Sequence, residues 1–346
     1  YLSGLLDDRI AILISGFPQL ESPKLLGVPK ITNSTGRQQH DAVVRLLEKW
    51  GVLKEVVALV FYTTSSNTGR FQGAATFIEK TLSHAVLWFA CRHHVFEIHI
   101  QHVAESICGK RNTPSESIFK RSQKDFPELN QDIQDLILFD SEGDSEMQQL
   151  ADEVIEWGSE LIENDTFPRS DYLELLQLTF IFLGGSVFPL SIRKPGSIKR
   201  EQHKRILEET SNVHKMANFI ALFHARPFIQ SRLASLAPAV DLRYLSKMSW
   251  FKKKDETVGN VAIKSICNHL WYLTKELIVF SFFDESLPNA LRESMVKQLL
   301  TFNRAKDIPP GKPKFSLINP DEIDNPNQLN LFVGAKSWLL FNLLNT

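Results

Sequence analysis

The sequence predicts an α/β protein, with a mostly parallel sheet and its helices in the first 108 residues and a largely helical remainder. Three observations predict it. Two short, β-branched apolar runs, "RIAILIS" (9–15) and "EVVALVF" (55–61), have the pattern of strands buried on both faces. Helical stretches alternate with such runs through the first 108 residues. Beyond about residue 110 no comparable strand alternation recurs, while helical spacing continues.

Taken in order, "KLLGVPK" (24–30) reads as a further strand. "TGRQQHDAVVRLLEKWG" (35–51) places Ala42, Val43, Leu46, Leu47 and Trp50 on one helical face, with Gly51 as its stop. "GRFQGAATFIEKTL" (69–82) has helical spacing, "HAVLWFA" (84–90) reads as a strand, and "RHHVFEIHIQHVAESI" (92–107) as a helix. After residue 110 comes the acidic helical stretch "SEGDSEMQQLADEVIEWGSELIEND" (141–165). In "FPRSDYLELLQLTFIFLG" (167–184), Ser170 or Asp171 is the expected cap. "HKMANFIALFHARPFIQSRLA" (214–234) and "VAIKSICNHLWYLTKELIVFSFF" (261–283) continue the helical pattern. Proline-rich 302–330 reads as an irregular connection before a short apolar helix, "AKSWLLFNLL" (335–344).

With 346 residues and 43% hydrophobic side chains, the chain can bury a sizeable core in two structural units. Its 39 Lys and Arg against 40 Asp and Glu leave a formal net charge of -1, so no global field draws it to phosphate backbones, and a nucleic-acid site would be a local patch. Three cysteines, Cys91, Cys108 and Cys267, with no CxxC pair, point to a reducing compartment, nuclear or cytoplasmic. The uncharged run at 175–192 is long enough to span a membrane, but Gly184, Gly185 and Pro189 argue for a helix ending in a turn. No secretory signal opens the chain, and the absence of a lead-in suggests a fragment of a longer protein.

In open α/β sheets ligands gather at the carboxyl ends of the strands. "YTTSSNTG" (62–69) lies at such an end and leads into a helix. Its plainer reading is a hydroxyl-rich turn that caps that helix. Its functional reading is a polynucleotidyl-transfer site, in which an acid at the strand end would hold a divalent metal.

The blocks "VVALVFYTTSSNTGRFQGAA", "LWFACRHHVFEIHI", "KLLGVPK", "HLWYLTKELIVFSFFDE" and "VGAKSWLLF" resemble a group of hAT-like, transposase-derived proteins with an RNase H-like catalytic core. The resemblance spans nearly the whole chain and implies that core, interrupted by a helical insertion. On this reading residues 1–108 are the first part of the core, 109–258 the insertion, and 259–346 C-terminal helices completing the core. In that group the position of Tyr62 is usually an aspartate, within "FDTT", the second acid of an Asp-Asp-Glu triad. The first acid, carried by a "WDGKLL"-like strand, corresponds to Leu2 of "YLSGLL". Glu276 stands for the third. Cys91 and His94 match the CxxH motif that supports such cores.

Two-metal phosphoryl chemistry needs carboxylates to hold Mg²⁺ or Mn²⁺ and stabilise the attacking and leaving oxygens. A phenol, titrating near 10, is neutral at pH 7 and a poor ligand for a hard cation. Loss of two acids implies a catalytically inactive protein that needs no cofactor and works through a protein partner or self-association. The alternative is an active metal-dependent transferase or nuclease with a rearranged set including Asp7 or Asp8 and Glu276, using Mg²⁺ or Mn²⁺. A third class is a nucleic-acid binder without catalysis, for which Arg193, Lys194, Lys199, Arg200, Lys204 and Arg205 are the candidate phosphate contacts. Their plainer reading is a solvated loop or helix face, diluted by Glu201, Glu208 and Glu209. "WFKKKDE" (250–256) is a second basic segment with the same plain reading.

Cys91, His93, His94, Glu97, His99, His102 and Cys108 form the densest set of metal-capable residues. Only Cys91 and His94 have a familiar ligand spacing, so core packing and hydrogen bonding outweigh zinc, and no metal site is expected. No GxSxG elbow and no GxxxxGK[ST] loop occurs. The aromatic residues fall mostly at apolar-face spacing, which favours packing over base stacking.

Overall fold

The computed structural model describes residues 7–16, 20–69, 71–109, 138–164, 167, 169–185, 211–231, 236–268, 278–303 and 328–343. The chain is mixed α/β and mostly helical, with a small parallel sheet. It divides into two compact units, one of Tyr1–Val95, His269–Asn319 and Asn327–Thr346, the other of Phe96–Asn268 and Pro320–Pro326.

In the first unit, β1 (Ile12–Gly16) and β2 (Leu20–Gly27) pair antiparallel, with Leu13 opposite Leu25 and Ile14 opposite Lys24. Only three residues separate the two strands, and a connection that short permits a hairpin but no parallel crossover. The first apolar run is therefore not a strand buried on both faces: Ile12 is buried, while Leu13 and Leu25 form an exposed cross-strand pair. Parallel pairing is confined, among the described residues, to β3 (Ala58–Phe61) and β4 (Leu87–Ala90), which align Ala58 with Leu87 and Phe61 with Ala90.

Helix α1 (Gly36–Lys49) starts at Thr35, whose hydroxyl accepts the Gln38 amide, and stops at Gly51 with φ of +71°. Its buried face is Gly36, His40, Val44 and Leu47, with Ala42, rather than the expected face through Val43 and Trp50; Trp50 is exposed. The helix packs on α3 (Ala74–Leu82), and His40 takes a core position that apolar counting assigns to no histidine. Its ring meets Phe77 edge-on, Nδ1 lies 2.8 Å from Asp41 Oδ1, and Nε2 lies 2.8 Å from Thr81 Oγ1. Polar atoms satisfied in this way bury at little cost.

The α1 terminus also locks the loop ahead of α3. A Cβ at Gly36 would stand 2.1 Å from the Gln72 carbonyl oxygen and 2.7 Å from that of Ser66, so only glycine permits this approach. The short α2 (Ser65–Thr68), whose Ser66 carbonyl lies against Gly36, follows shortly after the end of β3. Later in the unit, α11 (Asn289–Leu300) and α12 (Trp338–Leu343) flank 3-10 turns, and Trp338 Nε1 donates to the Phe302 carbonyl.

The boundary between the units falls inside α4 (Arg92–Cys108), between Val95 and Phe96. The second unit holds α5 (Ser145–Asn164), α6 (Ser170–Phe182), α7 (Ser211–Phe219), α8 (Ala225–Gln230), α9 (Ala237–Phe251) and α10 (Glu256–Cys267). Its core includes the wholly buried Phe96, Phe182, Phe219, Leu176, Leu242 and Met248. The cap expected at Ser170 or Asp171 is not formed: Arg169 is the cap residue, without a side-chain bond, and its guanidinium pairs with Asp171. A carboxylate in that first turn still faces the favourable end of the helix dipole.

Between α7 and α8 the helix widens to a π turn over Ile220–His224, in which the Ala225 amide reaches the Ile220 carbonyl. Pro227 explains the widening, because its ring crowds the carbonyl four residues earlier and it has no amide to donate. α6 ends at Phe182, and Gly184 adopts φ of +89°. Among the described residues no helix is long and apolar enough to cross a membrane.

Candidate binding site at the carboxyl ends of β3 and β4

The parallel register puts Phe61 and Ala90 side by side, so the residues after each strand emerge together: Tyr62 to Asn67 from β3, and Cys91 to His94 from β4. The Cys91 amide donates to the Phe61 carbonyl at 2.8 Å, extending the ladder by one bond. Tyr62 is 60% exposed and meets the His94 ring edge-on, with centroids 5.5 Å apart and an 88° interplanar angle. The structure thus brings together three of the residues singled out in the sequence, Tyr62, Cys91 and His94.

Most of the hydroxyl block is engaged in holding its own turn. Asn67 Nδ2 donates to the Tyr62 carbonyl at 3.0 Å, and the Asn67 amide, Thr68 amide and Thr68 hydroxyl all donate to the Thr64 carbonyl. Thr64 and Ser66 hydroxyls lie 3.1 Å apart, and Gln39 donates to Ser66 from α1. These bonds hold the turn, but the hydroxyls do not cap the helices that follow: Thr64 before α2 and Gly73 before α3 make no side-chain bond to a helix amide, so the expected cap is not formed. Thr63 is buried, and its hydroxyl makes no hydrogen bond among the described residues.

Among the described residues no three His, Cys, Asp or Glu side chains converge to hold a metal ion. Cys91, Cys108 and Cys267 form no disulfide. Asp7 is spoken for, with Lys30 Nζ at 2.5 Å and Arg9 at 3.6 Å, and the Asp8 carbonyl accepts the Ile31 amide. Leu2 and Glu276 lie outside the described residues, as do Arg193, Lys194, Lys199, Arg200, Lys204 and Arg205. In the second basic segment Lys254 is bound to Asp144 at 2.6 Å and Glu146 at 3.4 Å, which makes it a salt-bridged surface.

The histidines farther along α4 belong to the second unit and serve its core. The Tyr244 hydroxyl and His99 Nε2 are 2.8 Å apart, both side chains buried, and His102 Nδ1 lies 2.8 Å from the Ser265 hydroxyl. Burial alone pushes the Tyr244 phenol well above its ordinary range, so it stays protonated in its bond with the imidazole. Sequence spacing placed these histidines on a helix but had no signal for their partners, which lie 145 and 163 residues away. Arg226 and Arg243 escaped it too; their signal is the Arg243 and Lys247 spacing of four on α9, one helical face.

No family model matches this chain, and neither a curated protein nor a solved structure matches it.

Proposed function

We propose that this chain is a catalytically inactive protein on a strand and helix core of the hAT-like, transposase-derived kind, acting through a protein partner or self-association. The observation that carries the proposal is Tyr62. It stands at the carboxyl end of β3, packed on His94 of the CxxH pair, where the resemblance calls for a carboxylate. A neutral phenol seated edge-on against an imidazole offers a hard cation no carboxylate oxygen. Partner binding draws support from apolar exposure around this stretch of chain: Val60 is 79% exposed two residues before Tyr62, and Phe71 is 71% exposed nine residues after it.

The test is calorimetric titration of the chain with Mn²⁺ beside a Tyr62→Asp variant, with cleavage of labelled DNA in the same buffer and light scattering for mass. The proposal expects no ion binding and no cleavage by the parent. Metal binding and strand cleavage by the parent would overturn it in favour of an enzyme with relocated acids. Salt-sensitive DNA binding without cleavage would make the chain a nucleic-acid binder instead.

A further inference from the structure

In the second unit, α8 and α9 bring cations together against α5. Lys247 is half-buried and pairs with Glu153 at 2.8 Å. Arg226 stacks its guanidinium over the Trp157 ring at 5.3 Å. Its Nε is buried and lies outside any hydrogen bond, and neither Arg226 nor Arg243 makes an ion pair or hydrogen bond among the described residues. Both are only partly exposed. Of the nearby acids, Glu153 is committed to Lys247, and Glu160 acts on Arg226 through space without pairing to it.

A guanidinium drawn partly out of water loses hydration that a cation and π contact replaces only in part. Burial is the largest influence on Arg226 and pulls its pKa down, and the like charge of Arg243 pulls the same way. Lys247 is lowered chiefly by burial, with Arg226 and Arg243 adding to it against Glu153. With Lys247 committed to Glu153 and neither Arg226 nor Arg243 hydrogen-bonded among the described residues, the two guanidinium groups form an arrangement that an oxyanion would complete. Planar forks match phosphate oxygens two at a time, and a phosphate monoester brings nearly two negative charges where a diester brings one.

The geometry points to a phosphate-monoester site formed by Arg226 and Arg243, floored by Trp157 and backed by the Lys247 and Glu153 pair. This site belongs to the helical unit and does not depend on the role of Tyr62.

Thermal unfolding tests it, with the whole chain in sodium phosphate, in phosphoserine and in dimethyl phosphate, each at the ionic strength of a sodium chloride control. Inorganic phosphate at about ten times its Kd raises the folding constant about 11-fold, a rise in Tm of about 3–6 °C. Phosphoserine is expected to match or exceed it, and dimethyl phosphate to fall below it. A larger effect of phosphoserine than of inorganic phosphate identifies an esterified ligand, and equal effects identify free phosphate. Arg226→Met and Arg243→Met should each unfold in chloride at or above the parent Tm, since they remove an unpaired half-buried charge, and each should abolish the phosphate response. A parent whose Tm in phosphate equals that in chloride overturns the site, and so does a response that survives both substitutions.

Discussion

Replacing Tyr244 with phenylalanine removes one oxygen from the centre of the helical unit and changes almost nothing else. The Tyr244 and His99 rings stand edge-on with centroids 5.2 Å apart, and Phe96 meets Tyr244 the same way at 6.0 Å. Tyr244→Phe keeps this ring packing and its burial. What it loses is the 2.8 Å bond to His99 Nε2, a nitrogen with no exposure to water in a residue that is wholly buried. A buried polar nitrogen stripped of its hydrogen-bond partner costs about 1–3 kcal/mol, more than the roughly 1 kcal/mol of an ordinary hydrogen bond. For a unit of this size that is a fall in Tm of about 2–4 °C per kcal/mol. Urea unfolding followed by circular dichroism measures it, with His99→Phe and the double variant completing a cycle. Each single change strands one polar atom, while the double change leaves none of this pair, so the double should cost less than the sum of the singles. A Tyr244→Phe chain within about 0.5 kcal/mol of the parent would refute the reasoning, because surface substitutions fall in that range.

Gly36→Ala sets two effects against each other: alanine gains about 1 kcal/mol of helix propensity, but its Cβ would meet backbone oxygen at 2.1 Å, and overpacking against backbone costs about 1–3 kcal/mol. Net destabilisation of the first unit is expected in urea unfolding, and a more stable variant would sink the account of the α1 and α3 packing. For Asp255, which caps α10, partial burial works to raise the pKa, but the Lys215 ion pair at 2.5 Å and the Val258 amide outweigh it and hold the carboxyl below its ordinary value. A folded pKa below the unfolded one of about 3.9 gives stability that is present above pH ~4 and lost as the pH falls through the folded value. Asp255→Asn preserves the cap but not the charge, so parent and variant should differ by about 0.5–1 kcal/mol at pH 7 and converge as the pH falls through the folded value; a gap independent of pH contradicts the assignment.

Several elements were legible because their determinants are local. The helix at 36–49 carries its own cap at Thr35 and its own stop at Gly51, and the turn after β3 is held by Asn67 and Thr68 side chains that bond back to the Tyr62 and Thr64 carbonyls. Strand and helix types around 58–107 follow from short apolar runs and helical spacing for the same reason. The position of Tyr62 at a strand end was readable at this level.

Other features depend on residues far apart in the chain. Apolar runs predict burial on both faces, yet pairing partner decides burial, and the hairpin of β1 and β2 leaves Leu13 and Leu25 in water. Helical spacing alone could not choose His40 over Trp50 for the core, because that choice rests on Phe77 and Thr81 of another helix. Nor could it say that His99 and His102 answer to Tyr244 and Ser265, or that Arg226 faces Trp157 and Arg243 with no carboxylate of its own. Local sequence determined which segments coil or extend, since propensity and capping act over a few residues. Tertiary structure alone decided which polar groups are paired, because burial makes pairing obligatory and only the fold supplies the partner.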